Sequence, residues 1–383
     1  MLISPEFLLF GATMLGVMLW HGKHLQVAFT GLAAIVAFKL VFDDMSLAAH
    51  FQHEAVLLLN LLGLLVGFEL MAGHFKESRL AEKVPAILPA GWWGPFVLLV
   101  LIFTLSIFLD NIAAAMIGAS LALAVFKGRV RVGYLAAIVA ASNAGGAGSV
   151  IGDTTTTMMW LAGVDWKDVT HAFLPATVAL VTFGIPLSIA QARYQPIVVS
   201  DTSYQGPPVD YARVLIVLGM LAGVVAGNVL LGLPAIGLWL VILVTAFLRA
   251  PHWKDVPGAT INASFLLALV LSASLMPVEE LPAPSEMTVL GLGFVSSVFD
   301  NIPLTKLALD QGGYDWGWLA YAVGFGGSMM WFGSSAGVAV AKDNPELRNI
   351  GIFLKEAWII AVAYVVGFSS LFLIGWFPHA VLP

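Results

Sequence analysis

The sequence predicts an all-α integral membrane fold made of two inverted repeats, each with a re-entrant hairpin and a broken transmembrane helix. Three observations carry that prediction. First, 60% of the 383 residues are apolar and only 10% are charged, against about 25% charged in soluble domains. Second, three apolar regions are too long for a single span and are interrupted by Asp, Asn or clustered Gly. Third, the interruptions occur twice, in the same order. The chain has no cysteine, which excludes disulfides and thiolate metal sites. Phosphate-loop, nucleotide-binding and hydrolase motifs are absent, so an enzyme is not expected. Neither a bound cofactor nor a nucleic-acid partner is expected.

In chain order, the expected spans are Phe7–Trp20, Leu25–Phe42 and Glu54–Gly73, then Trp92–Phe126, Gly133–Gly163 and Ala172–Ala192. MLISPEF lacks a positive n-region, so the first span reads as retained rather than cleaved. A linker, 193–213, carries Pro196, Pro207 and Pro208. Val214–Leu231, Ala235–Leu248, Thr260–Met276, Met287–Leu309, Trp316–Ala341 and Gly351–Trp376 follow. Trp residues at span ends, such as Trp92, Trp93, Trp253 and Trp376, read as interfacial anchors.

Trp92–Phe126 would be about 52 Å long as one helix, against a hydrocarbon core of about 30 Å. Asp110-Asn111 interrupts it, so a re-entrant hairpin with its tip near the midplane fits better. Met287–Leu309 is interrupted by Asp300-Asn301-Ile302-Pro303, and Pro303 lacks a helical hydrogen-bond donor. Gly133–Gly163 contains SNAGGAGSVIGDTTTTM, with Gly145, Gly146, Gly148 and Gly152 followed by Asp153 and four Thr. Glycine loosens a helix. Open backbone at membrane depth is tolerated only inside protein or along a wet cavity.

Leu109-Asp110-Asn111-Ile112 matches Phe299-Asp300-Asn301-Ile302, and Gly145–Met158 matches Gly326–Ala339. Residues 1–192 and 214–376 are therefore read as two repeats. In the first, 7–73 are scaffold helices and 92–163 the hairpin and broken helix; in the second, 214–276 and 287–341 play those parts. Paired interrupted helices of this kind point to a secondary transporter with a midplane site. The charges fit re-entrant hairpins with the N-terminus outside. Only Lys167 then falls in an external loop, Lys39 and Lys306 lie within membrane segments, and every other Lys and Arg is cytoplasmic, as is the linker. The external loops carry Asp43-Asp44 and Glu279-Glu280. A multi-pass protein of the cell's inner membrane is expected.

The runs FLDNIAAAMIGASLALAVF, SNAGGAGSVIGDTTTTMMW and FDNIPL, with GFGGSMMWFGSSAGVA, resemble NhaD-type sodium/proton antiporters of the ion transporter superfamily, which includes arsenite, citrate and dicarboxylate carriers. The likeness runs from about Glu54 onward. It implies sodium/proton antiport by alternating access, a site built from hairpins and unwound helices of both halves, and a homodimer with a static scaffold and a moving transport domain. Related dicarboxylate symporters carry Ser-Asn-Thr at the hairpin tips, where this chain has Asp-Asn.

The residue chemistry also suits a cation. Sodium takes hard oxygen ligands, offered by Asp110, Asn111, Asp153, Thr154, Thr155, Asp300, Asn301, Ser334 and Ser335. Backbone carbonyls near Gly145, Gly146, Gly152, Gly326, Gly327 and Gly333 add to them. Protons compete for a buried carboxylate, because burial favours its neutral form. Asp153 is the leading exchanger: its repeat-mate is Ser334, whereas Asp110 and Asp300 mirror one another. Lys306 is expected either to pair with Asp310 four residues on or to neutralise Asp300. Glu69 is expected either to relay protons or to pair with a base such as Lys76. Lys39 should snorkel outward, and Asn60 should bond a neighbouring helix. Two other functions use the same cavity: a sodium-coupled carrier of a small carboxylate or oxyanion, favoured by helix N-terminal dipoles, and an ion channel.

Overall fold

The computed structural model describes residues 4–42, 46–197 and 208–379. The acidic loop Asp43-Asp44 and the middle of the linker, including Pro207, lie outside the described residues. Within them the chain is helical and has no strand. The first half holds α1 (Pro5–Leu19), α2 (His24–Phe42), α3 (Leu47–Glu77), α4 (Trp93–Ser106), α5 (Asn111–Val125), α6 (Val132–Ala147), α7 (Thr154–Leu161), α8 (Trp166–Thr170) and α9 (Phe173–Tyr194). The second holds α10 (Tyr211–Leu231), α11 (Pro234–Thr245), α12 (Val256–Ser274), α13 (Glu286–Ser296), α14 (Asn301–Gln311), α15 (Trp316–Gly326), α16 (Ser335–Asp343) and α17 (Ile350–Ser370). Six segments, including α2, α3, α10 and Ile350–Leu373, are long and apolar enough to cross a membrane. The chain is a multi-pass membrane protein.

Every oversized region breaks, and in each case a polar side chain caps the helix that follows. Asp110 caps α5, Asp153 caps α7, Asp300 caps α14 and Ser334 caps α16. A cap of this kind satisfies one of the helix's orphan N–H groups. Pro303 does not make the second break. It sits in the first turn of α14, where its missing N–H costs nothing.

The elements form two groups. α1, α2, α3, α10, α11 and α12 pack on one another. α4, α5 and α9 pack on α6, as do α15, α16 and α17. Every residue of α6 and of α15 is buried. A helix that is apolar or small on all sides suits such a position. Apolar side chains on α10, such as Leu215, Val229 and Leu230, stay exposed, as lipid contact allows.

Two polar side chains differ from expectation. Lys39 is buried and pairs with Glu6 across α1 and α2 at 3.3 Å, because a carboxylate lies within its reach. Asn60 donates to Val56 O of its own helix, 3.1 Å away, and among the described residues does not bridge to a neighbour.

Candidate functional site

Within each break the backbone passes itself at close range. A Cβ on Gly146 would lie 2.5 Å from Gly152 O, and one on Gly327 would lie 2.6 Å from Gly333 O. Only glycine fits these crossings. The caps also match between halves: Asp153 has φ −143°, ψ 140° and Ser334 has φ −141°, ψ 150°. Asp110 and Asp300 share a second geometry, φ −48°, ψ 140° against φ −54°, ψ 138°.

Asp153 is 1% exposed. Its Oδ1 accepts from Thr155 N at 3.0 Å, and its Oδ2 accepts from Asn111 Nδ2 at 3.1 Å. The same amide donates to Asn143 Oδ1 at 3.1 Å, and Asn143 Nδ2 lies 2.9 Å from Ser328 Oγ and 3.0 Å from Ser334 Oγ. A buried polar chain therefore runs from Asp153 through α5 and α6 to the second-half break. Asp300 Oδ1 accepts from Ile302 N at 3.0 Å, and its Oδ2 accepts from Ser335 Oγ at 3.1 Å. Asp110 Oδ2 accepts from Ile112 N at 3.1 Å.

Asp153 lies within electrostatic reach of both Asp110 and Asp300. The three carboxylates nevertheless do not share one coordination sphere. Among the described residues no group of three His, Cys, Asp or Glu side chains is placed to hold one ion. A cation at Asp153 must therefore complete its shell from amide, hydroxyl and backbone oxygens. One such oxygen faces the carboxylate: the Thr155 hydroxyl is buried beside Asp153, close enough to interact with it though outside ideal hydrogen-bond geometry.

The carbonyls of the broken stretch are less open than the sequence suggests. Thr156 Oγ1 donates to Ser149 O at 2.5 Å and to Asp153 O at 2.9 Å, and Thr157 Oγ1 donates to Val150 O at 2.9 Å. These two hydroxyls satisfy the unwound backbone. Thr154 is buried next to the cap, and Asn301 is buried beside Asp300. Gly145 and Gly326 lie hard against Phe103 O and Gly293 O respectively, so both serve packing between helices.

Lys306 does not reach Asp300. Its Nζ lies 2.8 Å from Asp310 Oδ1 and 2.8 Å from Glu54 Oε1. Glu54, the first residue of an expected span, carries no role in the sequence reading. In fact α3 begins at Leu47, so Glu54 lies two turns inside the helix. Glu69 is exposed on α3 and makes no ion pair with Lys76 among the described residues; it lies within electrostatic reach of Asp110. Asn143 and Ser328 were also missed. The signal for Asn143 was a lone amide one turn before Gly146 in a helix that, apart from Tyr134 and Ser142, is made of Ala, Gly and aliphatic residues.

No protein-family model matches the chain. Three curated proteins are similar to it. Sodium/proton antiporter 1 of Arabidopsis thaliana is 27% identical over 81% of this chain and 60% of its own length. Sodium/proton antiporter 2 of the same plant is 26% identical, over 72% and 75%. The Na(+)/H(+) antiporter NhaD of Halomonas elongata is 25% identical, over 70% and 64%. The chain thus spans less than two thirds of the length of the first and third. Along most of its own length, the chain is similar to sodium/proton antiporters, an NhaD protein among them.

Proposed function

We propose that the chain exchanges sodium for protons across a membrane by alternating access. One observation carries the reading. Asp153 is buried, Asp110 and Asp300 are half-buried within its electrostatic reach, and among the described residues no Lys or Arg forms an ion pair with any of the three. An unpaired buried carboxylate costs on the order of several kcal/mol when ionised. A bound proton or a bound cation removes that cost, so the site alternates between the two. Asp153 is the exchanging group, with Thr155 and the Asn111–Asn143 amides supplying neutral oxygens. Asp110 and Asp300 hold the hairpin tips in register, and Glu69 passes protons toward Asp110. A cavity of about 150 Å³, lined by Ile107, Ser149, Val150, Trp166 and Thr170, gives access beside the break.

The anion-carrier reading draws on the positive ends of the half-helices. Three of those ends are already capped by the chain's own Asp side chains. Their dipoles are therefore committed to carboxylates rather than to a substrate anion. We further propose that the two halves are inverted repeats with re-entrant hairpins α4–α5 and α13–α14. In this reading α1–α3 and α10–α12 form the scaffold of a homodimer, and the protein lies in the cell's inner membrane with its N-terminus outside.

Proteoliposomes loaded with a pH dye, at clamped voltage, test the exchange. A sodium gradient should drive protons the opposite way without any added anion. Sodium flux without proton counterflow, or flux that requires a carboxylate or oxyanion, would overturn the reading.

A further inference from the structure

The charge cluster at Lys306 lies outside the candidate site and links α14 to α3. Lys306 and Glu54 are buried, at 5% and 6% exposure. Lys306 and Asp310 both lie on α14, the helix whose first turn carries Asn301 and whose cap is Asp300. Glu54 lies on α3, among the outer helices. The neighbouring ion pairs stay within one group: Lys39–Glu6, Arg213–Glu77 and Arg249–Asp210 in the outer helices, Arg131–Glu356 in the inner set. Lys306–Glu54 links α14, which packs chiefly on α12, to α3, with which it makes little other contact.

We propose that Glu54 is a positioning residue, an ionic tether that holds α14, and with it the Asp300 tip, against α3 in the conformation seen here. Asp310 has a different part. As an i+4 partner on the same helix, it keeps Lys306 neutralised whether or not α14 touches α3. The ammonium can therefore let go of Glu54 without becoming a lone buried charge. That second carboxylate makes the contact releasable, because a single buried pair is strongly penalised when broken. Movement of α14 relative to α3 follows from the transport reading; the tether itself is measured without any flux.

The test compares two neutral isosteres by hydrogen exchange of purified protein in detergent, followed over the 301–311 amides. Glu54→Gln removes the link to α3 and leaves Lys306–Asp310 intact. Asp310→Asn removes the local partner and leaves the link. The tether predicts that Glu54→Gln speeds exchange in α14 about tenfold or more, with Asp310→Asn changing it less than about threefold. Should Glu54→Gln not accumulate, Glu54→Asp keeps the charge, shortens the reach by one methylene and should act in the same direction. Equal effects of the two isosteres, or none from either Glu54 variant, would reduce the cluster to plain charge neutralisation and overturn the proposal. Absence of sodium/proton exchange by the wild-type protein, with the predicted contrast between the isosteres, would leave the tether standing and count against the transport reading alone.

Discussion

The two breaks, 148–153 and 327–334, share a backbone and differ in chemistry. Cap dihedrals agree to within about 10° and the glycine crossings are equivalent, yet three polar positions are redistributed. Asp153 stands where the second half has Ser334, Asn143 where it has Gly324, and Ser328 where the first half has Ala147. The redistribution is complementary. Gly324 is so close that a Cβ there would lie 3.5 Å from Asp153 Oδ2, and Asn143 reaches over to bond Ser328 and Ser334. One break supplies the charge and the other supplies room and hydroxyls. The matched backbone is thus a frame, and the departures from it fall where we propose the exchange chemistry lies.

The largest effect should come from removing the charge that only one break possesses. Asp153→Asn should cut sodium-driven proton flux in proteoliposomes by about 100-fold or more, whereas Ser334→Ala should cost about tenfold, since it loses a neutral partner. Comparable losses would break the asymmetry. Next comes the shared frame. Gly152→Ala drives a Cβ into Ser106 O, and Gly333→Ala places one 2.6 Å from Ser297 O. Each should lower thermal stability in detergent by about 1–3 kcal/mol, as overpacking does, and the two should be alike. A harmless Gly152→Ala would contradict the close crossing. Asn143→Ala leaves the Asn111 amide and two hydroxyls short of a partner. It should raise the sodium concentration for half-maximal flux about tenfold while the protein stays folded.

The smallest effect lies away from both breaks, at the start of α10. The hydrogen bond from Arg249 Nε to Asp210 Oδ2, 3.0 Å, holds that carboxyl below the usual carboxylate range. A depressed pKa stabilises the fold above the unfolded-state value, and the benefit is lost as pH falls through the folded-state value. Asp210→Asn, which keeps the helix cap, should lower the melting temperature slightly at pH 7 and not at all in acid. An exposed pair is worth little, so a large shift would be unexpected.

Much of this was legible in the sequence. Apolar runs too long for the bilayer had to break, and Asp-Asn or clustered Gly marked where, so all four breaks fall inside the expected regions. The caps were less legible: one short polar side chain both interrupts an apolar run and starts the next helix, and Pro303 took credit that belongs to Asp300. Contacts between distant segments were hidden altogether. Nothing local to Lys306 announces Glu54, 252 residues away. The Thr run showed its hydroxyls but not their targets, so Thr156 and Thr157, which close the unwound carbonyls, could not be told from Thr155, which faces Asp153.

The central claim is that sodium and protons compete for Asp153. The most direct measurement is proton release on sodium binding to the purified protein, by calorimetric titration in two buffers of different ionisation enthalpy. The wild-type protein should release about one proton or more per sodium at a pH where the site is protonated, and Asp153→Asn should release fewer by about one. Sodium binding without proton release in the wild-type protein, or the same release from Asp153→Asn, would contradict the claim.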